Sequence, residues 1–240
     1  NFHTKYVILD LKLVMSVKDT LFKCLQYGTD NYADYTLFDD VSLPDWLEPE
    51  VIDNGSTIKS YVWRTDWLRR IRLTELNLQG KFIAESLVMY PDVTKVNPIF
   101  GTEFVNAGDK RFFGTIDFHP LKNEYWYIDK YINEWLGDQP NRTKNKSNIY
   151  DLNKFFSKKL WIKSETSDFY EEYLEKLELY LKRYFKMMAK PHREYSYEEQ
   201  CAYDKHLAGT DPAYGILKNY YSEEFADKYI NTFLFDSAKR

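Results

Sequence analysis

The chain has 240 residues, of which 44% are hydrophobic and 29% charged, and its net charge at pH 7 is -4. This balance is typical of a globular protein with one large domain or two small ones, and it argues against nucleic acid as a general partner. The two cysteines, Cys24 and Cys201, have no CxxC spacing, which argues against a disulfide framework, a zinc knuckle or an intrinsic iron–sulfur cluster. No apolar run approaches the ~20 residues of a membrane span. The sequence therefore predicts a soluble protein of the cytoplasm.

Aromatic residues are abundant at 18%, with 21 Tyr, 16 Phe and 6 Trp. Many large rings can line a roomy pocket for a flat, conjugated ligand, or they can simply fill an aromatic-rich core. Composition alone leaves both interpretations open.

Strand-like segments begin at Ser56, after an irregular approach over residues 30–55. The five segments are STIKSYVWR, LRRIRLTEL, KFIAESLVMY, IFGTEFVN and RFFGTIDF. Their connections are too short for the crossovers of parallel strands but suit antiparallel hairpins. The pattern predicts a five-stranded antiparallel meander.

The segment IFGTEFV carries a carboxylate between two largely apolar faces. Side chains of a strand alternate faces, so Glu103 shares one side with Ile99, Gly101 and Val105. Burying an unpaired carboxylate is costly. Glu103 is therefore either a solvent-facing or ion-paired residue, or a carboxyl in a weakly polar cavity that delivers a proton near neutral pH.

After Pro120 the apolar spacing becomes helical. A stripe from Tyr125 to Leu136 predicts a helix that Gly137 ends, and a polar loop follows. Further helices are predicted over about 168–188, 196–207, 212–221 and 223–235. Strands followed by helices indicate an α+β fold, with one antiparallel sheet and a pocket between the sheet and its helices.

Common cofactor motifs are missing from the sequence. It contains no GxGxxG, GxxxxGK[ST], HExxH or GxSxG, so it offers no conventional site for nicotinamide, flavin, nucleotide or zinc. The histidines lack metal-ligand spacing, Asp204-x-His206 being the nearest approach. No metal site is predicted.

Two aspartates have structural interpretations of their own. Asp211 in GTDPAYG fits an N-cap with Pro212 at the first helical position, and a cap residue can also border a cleft. Asp117 in IDFHP is interpreted as a strand-end residue, and no chemistry is assigned to it.

Basic residues form two groups in the sequence. The first contains Arg64, Arg69, Arg70 and Arg72, and the second contains Lys158, Lys159 and Lys163. Such groups are usually solvated faces with compensating neighbours, but they equally fit a docking patch for a small acidic partner.

Together these segments resemble the ferredoxin-dependent bilin reductase family, from about Ser56 to Asp236. The resemblance rests on the order and spacing of STIKSYVW…LRRIRLTEL, SLVMYPD…NPIFGTEFV…GTIDFHPL, NIYDLNKFFS and AYDKHLAGTDPAYGILKNYYSEEFADKYINTFLFD. Within the family the sequence is most similar to enzymes that reduce biliverdin to 15,16-dihydrobiliverdin. The first hairpin and NIYDLNKFFS carry most of that preference.

The resemblance implies an α/β/α sandwich that holds an open-chain tetrapyrrole between its central antiparallel sheet and its C-terminal helices. It implies an enzyme without a bound organic cofactor or metal, in which ferredoxin supplies electrons singly and substrate radicals form. Glu103 matches the strand position of an aspartate that protonates the bilin, and Asp211 matches the aspartate of the DPA motif, a second proton donor. The residues expected to dock ferredoxin are Arg69, Arg70, Arg72, Lys158 and Lys159.

Three positions depart from the family pattern. Glu103 is one methylene longer than the usual aspartate, which displaces the carboxyl in a site where geometry governs rate. Ser86, an expected substrate contact, stands where relatives usually have Asn or His. Thr74 stands where the phycocyanobilin-forming branch has a glutamate, which disfavours that product.

The function predicted from the resemblance is two-electron reduction of the C15=C16 methine bridge of biliverdin IXα to 15,16-dihydrobiliverdin, with a carboxyl as the proton source. A second bilin reductase could receive the product. The alternatives are four-electron reduction to phycoerythrobilin, which needs both carboxyls in sequence, and a bilin-binding carrier that has lost its chemistry.

The domain prediction places a single bilin reductase domain at residues 15–240, with a monomer as the family expectation. Family proteins of this type begin close to the segment that starts at Met15. Residues 1–14, NFHTKYVILDLKLV, are therefore expected to be a non-native or mis-annotated extension, with an edge strand as the alternative.

Overall fold

The computed structural model describes residues 15–38, 40–94, 97–108, 111–121, 128, 155–157, 159–190 and 196–238. Its strands are β1 (Glu50–Asp53), β2 (Ser56–Trp63), β3 (Leu68–Leu78), β4 (Phe82–Pro91), β5 (Ile99–Asn106), β6 (Phe112–His119) and β7 (Trp161–Glu165). They form one sheet in sequence order, and each strand is antiparallel to the next. The predicted five-stranded meander is confirmed as β2 to β6, and the structure adds a strand at each edge.

Two tight turns fix the register of the first hairpins. Asn54 and Gly55 connect β1 to β2 with φ of 49° and 76°, and Gln79 and Gly80 follow β3 with φ of 55° and 68°. Positive φ at two successive residues matches the right-handed twist of antiparallel strands, and the second residue is glycine because it has no Cβ to clash. These turns set which side chains face each other across β2, β3 and β4.

The helices of the described chain are α1 (Val17–Asn31), α2 (Tyr170–Met188), α3 (Tyr197–Ala208), α4 (Ala213–Tyr220) and α5 (Glu223–Lys228), which continues as a π-helix over Tyr229–Leu234. The four predicted helices from residue 168 onwards are confirmed, except that the last one changes to π geometry at Tyr229. Helix α1 was not predicted, although Ser16 and Asp19 form a capping box at its start.

Helices cover both faces of the sheet because the strands alternate apolar side chains between the faces. On β3, Ile71 and Leu73 pack into a core with α1 and α2. Leu76 and Leu78 point to the other face and pack against α4, α5 and the π-helix. The chain is therefore an α+β protein with an α/β/α sandwich, as predicted.

Several predictions concern residues outside the described ranges. They are the extension at residues 1–14, most of the helix predicted over residues 125–136, the polar loop after it, and Lys158. Ile128, the described member of that helical stripe, is buried in the core with α1 and α2.

Candidate active site

A cleft lies between the sheet and the segment formed by α3, α4 and the π-helix. It has two lobes, one towards β2 and α4 and one towards β6 and α3, which enclose about 490 and 660 Å³ of space that is partly open to solvent. Arg72, Ser86, Glu103 and Asp211 line both lobes. These four side chains therefore surround the junction of the lobes.

Polar side chains cross the floor of the cleft in one row. Ser60, Thr74, Ser86, Glu103 and Thr115 are successive register partners on β2 to β6, so all five share a sheet face. The opposite face of these strands is apolar core. We call these five residues the polar row.

Glu103 occupies the row on β5, directly beside Ser86 on β4. Its side chain is half-buried and borders both lobes, while its chain neighbours Thr102 and Phe104 are buried on the other face. The cleft location agrees with the alternation argument from the sequence. Glu103 can contact a ligand that enters either lobe.

Asp211 faces the row from the opposite wall, in the loop between α3 and α4. Its carboxylate accepts a hydrogen bond of 2.7 Å from the backbone N–H of Ala213. The helix begins at Ala213 with Pro212 as its N-cap, so the cap lies one residue later than predicted and Asp211 directly precedes it. It still satisfies a first-turn donor of α4, as a cap residue would.

Burial shifts the acidity of Asp211. Desolvation raises the pKa of its carboxyl above the ordinary 3.8, while the hydrogen bond from Ala213 and the positive charge of Arg72 act in the opposite direction. A carboxyl with a raised pKa keeps its proton to higher pH, which is the property that a proton donor needs.

Tyr229 of the π-helix closes the β2 end of the row. Its hydroxyl lies 2.9 Å from Ser60 Oγ and 3.3 Å from Thr74 Oγ1. Burial raises the pKa of this hydroxyl, so it stays neutral at physiological pH. Thr74 thus contributes to the contact between the sheet and the π-helix.

The second lobe contains a polar pair that the sequence interpretation missed. Asp117 is buried on β6 and accepts hydrogen bonds from the backbone N–H, at 2.7 Å, and the hydroxyl of Ser157. His119 is two residues further, and burial lowers its pKa to about 4, so the ring is neutral. Its Nδ1 lies 3.3 Å from the Phe155 carbonyl, which can only accept, so Nδ1 carries the proton and Nε2 a lone pair.

Gly101 makes room for His119 on the cleft side of β5. A Cβ at position 101 would lie 2.3 Å from His119 Nε2, far inside van der Waals contact. The glycine of FGTE is therefore required by the close approach of this ring to the strand.

Arg69 and Arg70 belong to a structural contact rather than to an open surface. A register shift between Leu68 and Arg70 lets both side chains reach Asp236, at 3.6 and 3.4 Å. Arg70 is 7% exposed and also donates hydrogen bonds to the carbonyls of Phe233 and Leu234. We call Arg69, Arg70 and Asp236 the C-terminal clasp.

This geometry corrects the predicted docking patch. A partner cannot reach residues that are buried, and only 7% of Arg70, 2% of Arg72 and 5% of Lys159 is exposed. Arg69 is partly accessible, but its guanidinium packs over Tyr90 and binds Gln200. Lys163 of the second group is ion-paired with Glu172 at 2.6 Å.

Arg72 points into the cleft, where the sequence interpretation had not placed it. It lies next to Thr74 of the polar row on the same face of β3, and it borders both lobes. Neither Nε nor Nη1 of its guanidinium has a hydrogen-bond partner. The cleft thus holds a buried positive charge beside two carboxyls.

The described residues contain neither a metal-binding cluster nor a membrane-spanning helix. No cluster of three or more His, Cys, Asp or Glu side chains in this part of the chain has the arrangement to hold a metal ion. None of the helices described is long and apolar enough to cross a membrane.

Comparisons with known proteins agree on one group. Residues 37–236 match the family model of the ferredoxin-dependent bilin reductases. A 15,16-dihydrobiliverdin:ferredoxin oxidoreductase of Nostoc punctiforme is 29% identical over 211 residues, or 82% of this chain and 86% of the relative. Another, from Prochlorococcus marinus, is 32% identical over 194 residues, or 75% and 80%.

Among solved structures, tomato phytochromobilin synthase in complex with biliverdin has a similar fold. The TM-score is 0.75 at 17% sequence identity, and the match covers 94% of this chain and 84% of that one. At this identity the likeness shows a shared fold and nothing finer.

Proposed function

Because the chain belongs to the ferredoxin-dependent bilin reductase family, we propose that it reduces the C15=C16 methine bridge of biliverdin IXα to 15,16-dihydrobiliverdin. The family assignment confirms the resemblance inferred from the sequence, and it identifies ferredoxin as the electron source. The finer proposal is supported by the relatives named for this product and by one observation in the structure: carboxyls from opposite walls, Glu103 and Asp211, border one cleft.

The proposed reaction consumes two electrons and two protons. Two reduced ferredoxins are oxidised, each giving one electron to the bilin, and one hydrogen is added to each carbon of the C15=C16 bond. Ferredoxin carries no protons to the cleft. The protein must therefore supply them, and a carboxyl that is protonated near neutral pH can do so.

Glu103 and Asp211 are the proposed proton donors. They lie on opposite sides of the lobe junction, so a flat tetrapyrrole between the sheet and the helices would have one carboxyl on each face. Ser86 is the register partner of Glu103 and is proposed to contact the substrate beside it. Substitution of each carboxyl separately shows which of the two donates its proton first.

An anaerobic assay tests the product. Purified protein is incubated with biliverdin IXα, ferredoxin and a ferredoxin-reducing system, and the pigments are separated by chromatography. We expect 15,16-dihydrobiliverdin as the terminal product. A terminal phycoerythrobilin peak would replace the proposal by four-electron reduction, and tight binding without reduction would replace it by a bilin carrier.

A second bilin reductase is the proposed recipient of the product. Addition of such an enzyme to the assay should deplete 15,16-dihydrobiliverdin, and competition by an inactive bilin-binding trap distinguishes direct transfer from release. If the trap removes all product before the second enzyme acts, direct transfer is rejected.

A further inference from the structure

Arg72 is a buried cation whose charge the described structure does not neutralise at close range. The residue is 2% exposed, and its Nε and Nη1 lack hydrogen-bond partners. Its charge acts on the carboxyl of Asp211, whose pKa it lowers, but none of the ion pairs among the described residues involves its guanidinium. Burying an unpaired charge is unfavourable, so packing alone does not explain an arginine at this position.

Arg70 shows that this chain can pair a buried guanidinium. Arg70, two residues earlier on the same face, binds two backbone carbonyls and Asp236. The guanidinium of Arg72 instead lies over the ring of Phe235, 5.8 Å from the ring centre, and borders both lobes of the cleft. This difference between Arg70 and Arg72 indicates that Arg72 binds a group of a ligand, whereas Arg70 stabilises the fold.

The position of Arg72 indicates which part of a ligand it would meet. It borders the same two lobes as Glu103 and Asp211. If these carboxyls protonate carbons of the bilin, the conjugated system must lie between them. In that position the conjugated system of the bilin, with the carbonyl group of one of its terminal rings, faces Arg72. The flexible propionates lie at the edge of the bilin, away from Arg72.

We propose that Arg72 donates hydrogen bonds to a lactam oxygen of the bound bilin and stabilises the negative charge that the first electron brings. This inference rests on the proposed function. In the step concerned, reduced ferredoxin loses one electron and the neutral bilin becomes its radical anion, with no bond broken. The fixed cation lowers the free energy of that anion, because charge stabilisation strengthens where the bound bilin displaces water from around the guanidinium. A carboxyl proton then neutralises it.

The test compares Arg72→Gln and Arg72→Lys with wild type and with Arg64→Gln. Arg64 is a matched control because its guanidinium pairs with Asp40 away from the cleft. Each protein is titrated with biliverdin and with biliverdin dimethyl ester, whose propionates are uncharged. The potential of the first reduction of each bound bilin is then measured by spectroelectrochemistry.

We expect Arg72→Gln to disfavour the radical anion of both ligands at least tenfold, which corresponds to about 59 mV for one electron. Arg72→Lys should retain most of the effect, and Arg64→Gln should match wild type. An unchanged potential overturns the proposal. An affinity loss confined to the free acid, with no loss for the ester, assigns Arg72 to a propionate and also overturns it.

Thermal unfolding without ligand separates this role from a structural one. Removal of an unpaired buried charge should leave the Tm of Arg72→Gln equal to or above that of wild type. A large loss of Tm that Arg72→Lys restores makes Arg72 a structural residue and rejects the inference. If Arg72→Gln shifts the reduction potential as expected but the wild-type enzyme forms another bilin, the proposed function fails while the role of Arg72 stands.

Discussion

Glu103 is the residue whose chemistry can be tested most directly. Glu103→Gln keeps the shape of the side chain and its hydrogen bonding but removes the titratable proton. We expect biliverdin to bind with similar affinity while turnover falls ~100-fold or more. One-electron reduction should still proceed, so a bilin radical should accumulate in optical and EPR spectra.

Glu103→Asp is the matched control, since it keeps the carboxyl and introduces the aspartate that the sequence resemblance implies at this position. Its activity should equal or exceed that of wild type. Full turnover in Glu103→Gln together with a lower Tm would make Glu103 structural and leave Asp211 as the remaining candidate donor.

Asp211 gives a prediction about pH and stability. Desolvation raises its pKa in the folded state above the ordinary 3.8, so the folded state binds the proton more tightly than the unfolded state. The stability that this proton contributes is complete below pH 3.8 and is lost as pH rises through the folded-state pKa. Asp211→Asn removes this dependence while the amide oxygen can still accept from Ala213.

We therefore expect Asp211→Asn to gain stability relative to wild type as pH rises from 3.8 towards neutrality. Urea unfolding across this range measures the difference. If the stability advantage of Asp211→Asn over wild type instead increased as the pH was lowered, the result would contradict the raised pKa of Asp211. Turnover of the same variant, followed by radical accumulation, shows whether Asp211 protonates the bilin or only begins α4.

At the scale of elements, the C-terminal clasp joins the bulge of β3 to the end of the π-helix. Arg70→Gln breaks a buried ion pair and leaves the carbonyls of Phe233 and Leu234 without their donor. We expect a loss of about 3–5 kcal/mol in the free energy of unfolding, measured by denaturant titration.

Arg64→Gln is the control for this prediction, since its ion pair with Asp40 is at the surface and should contribute little. A wild-type unfolding curve for Arg70→Gln combined with a raised ferredoxin KM would restore Arg70 to the docking patch. Unfolding and ferredoxin KM of the same variant thus decide whether Arg70 belongs to the C-terminal clasp or to the docking patch predicted from the sequence.

The strands could be predicted because their apolar side chains alternate and their turns carry Gly, Asn and Pro. Edge strand β1 has four residues and is mostly exposed, so it lacks the buried face that makes alternation visible. Arg70 and Arg72 were grouped with Arg69 by proximity in sequence. Their alternation with the buried Ile71 and Leu73 was the available signal that they occupy the other face.

Other parts of the site depend on long-range contacts that local pattern does not contain. Asp117 looked like a strand-end residue because its partner, Ser157, is 40 positions away. The contact of Tyr229 with Ser60 spans 169 positions. Strand alternation singled out Glu103, and the resemblance to known reductases implied proton donation by Glu103 and Asp211. The cleft role of Arg72 needed the three-dimensional arrangement.

At the scale of the whole molecule, the cleft divides the protein into a ligand-contacting side and a core side. Biliverdin should slow hydrogen–deuterium exchange in β3 to β5 and in residues 203–217 and 229–235, which contribute to its walls. The outer surface of α1, which packs on the opposite sheet face, should exchange as before. Protection confined to α1 and α2 would place the bilin on the wrong side of the sheet and contradict the candidate site.

The order of strands in the sheet has a consequence for biosynthesis. Because β1 to β6 pair in sequence order, the floor of the cleft closes only short loops and can fold early. Asp211 and Tyr229 leave the ribosome after all seven strands. In a nascent chain the polar row is therefore exposed before the helical wall of the cleft has been synthesised. The bilin can bind only after the C-terminal helices have packed on the sheet.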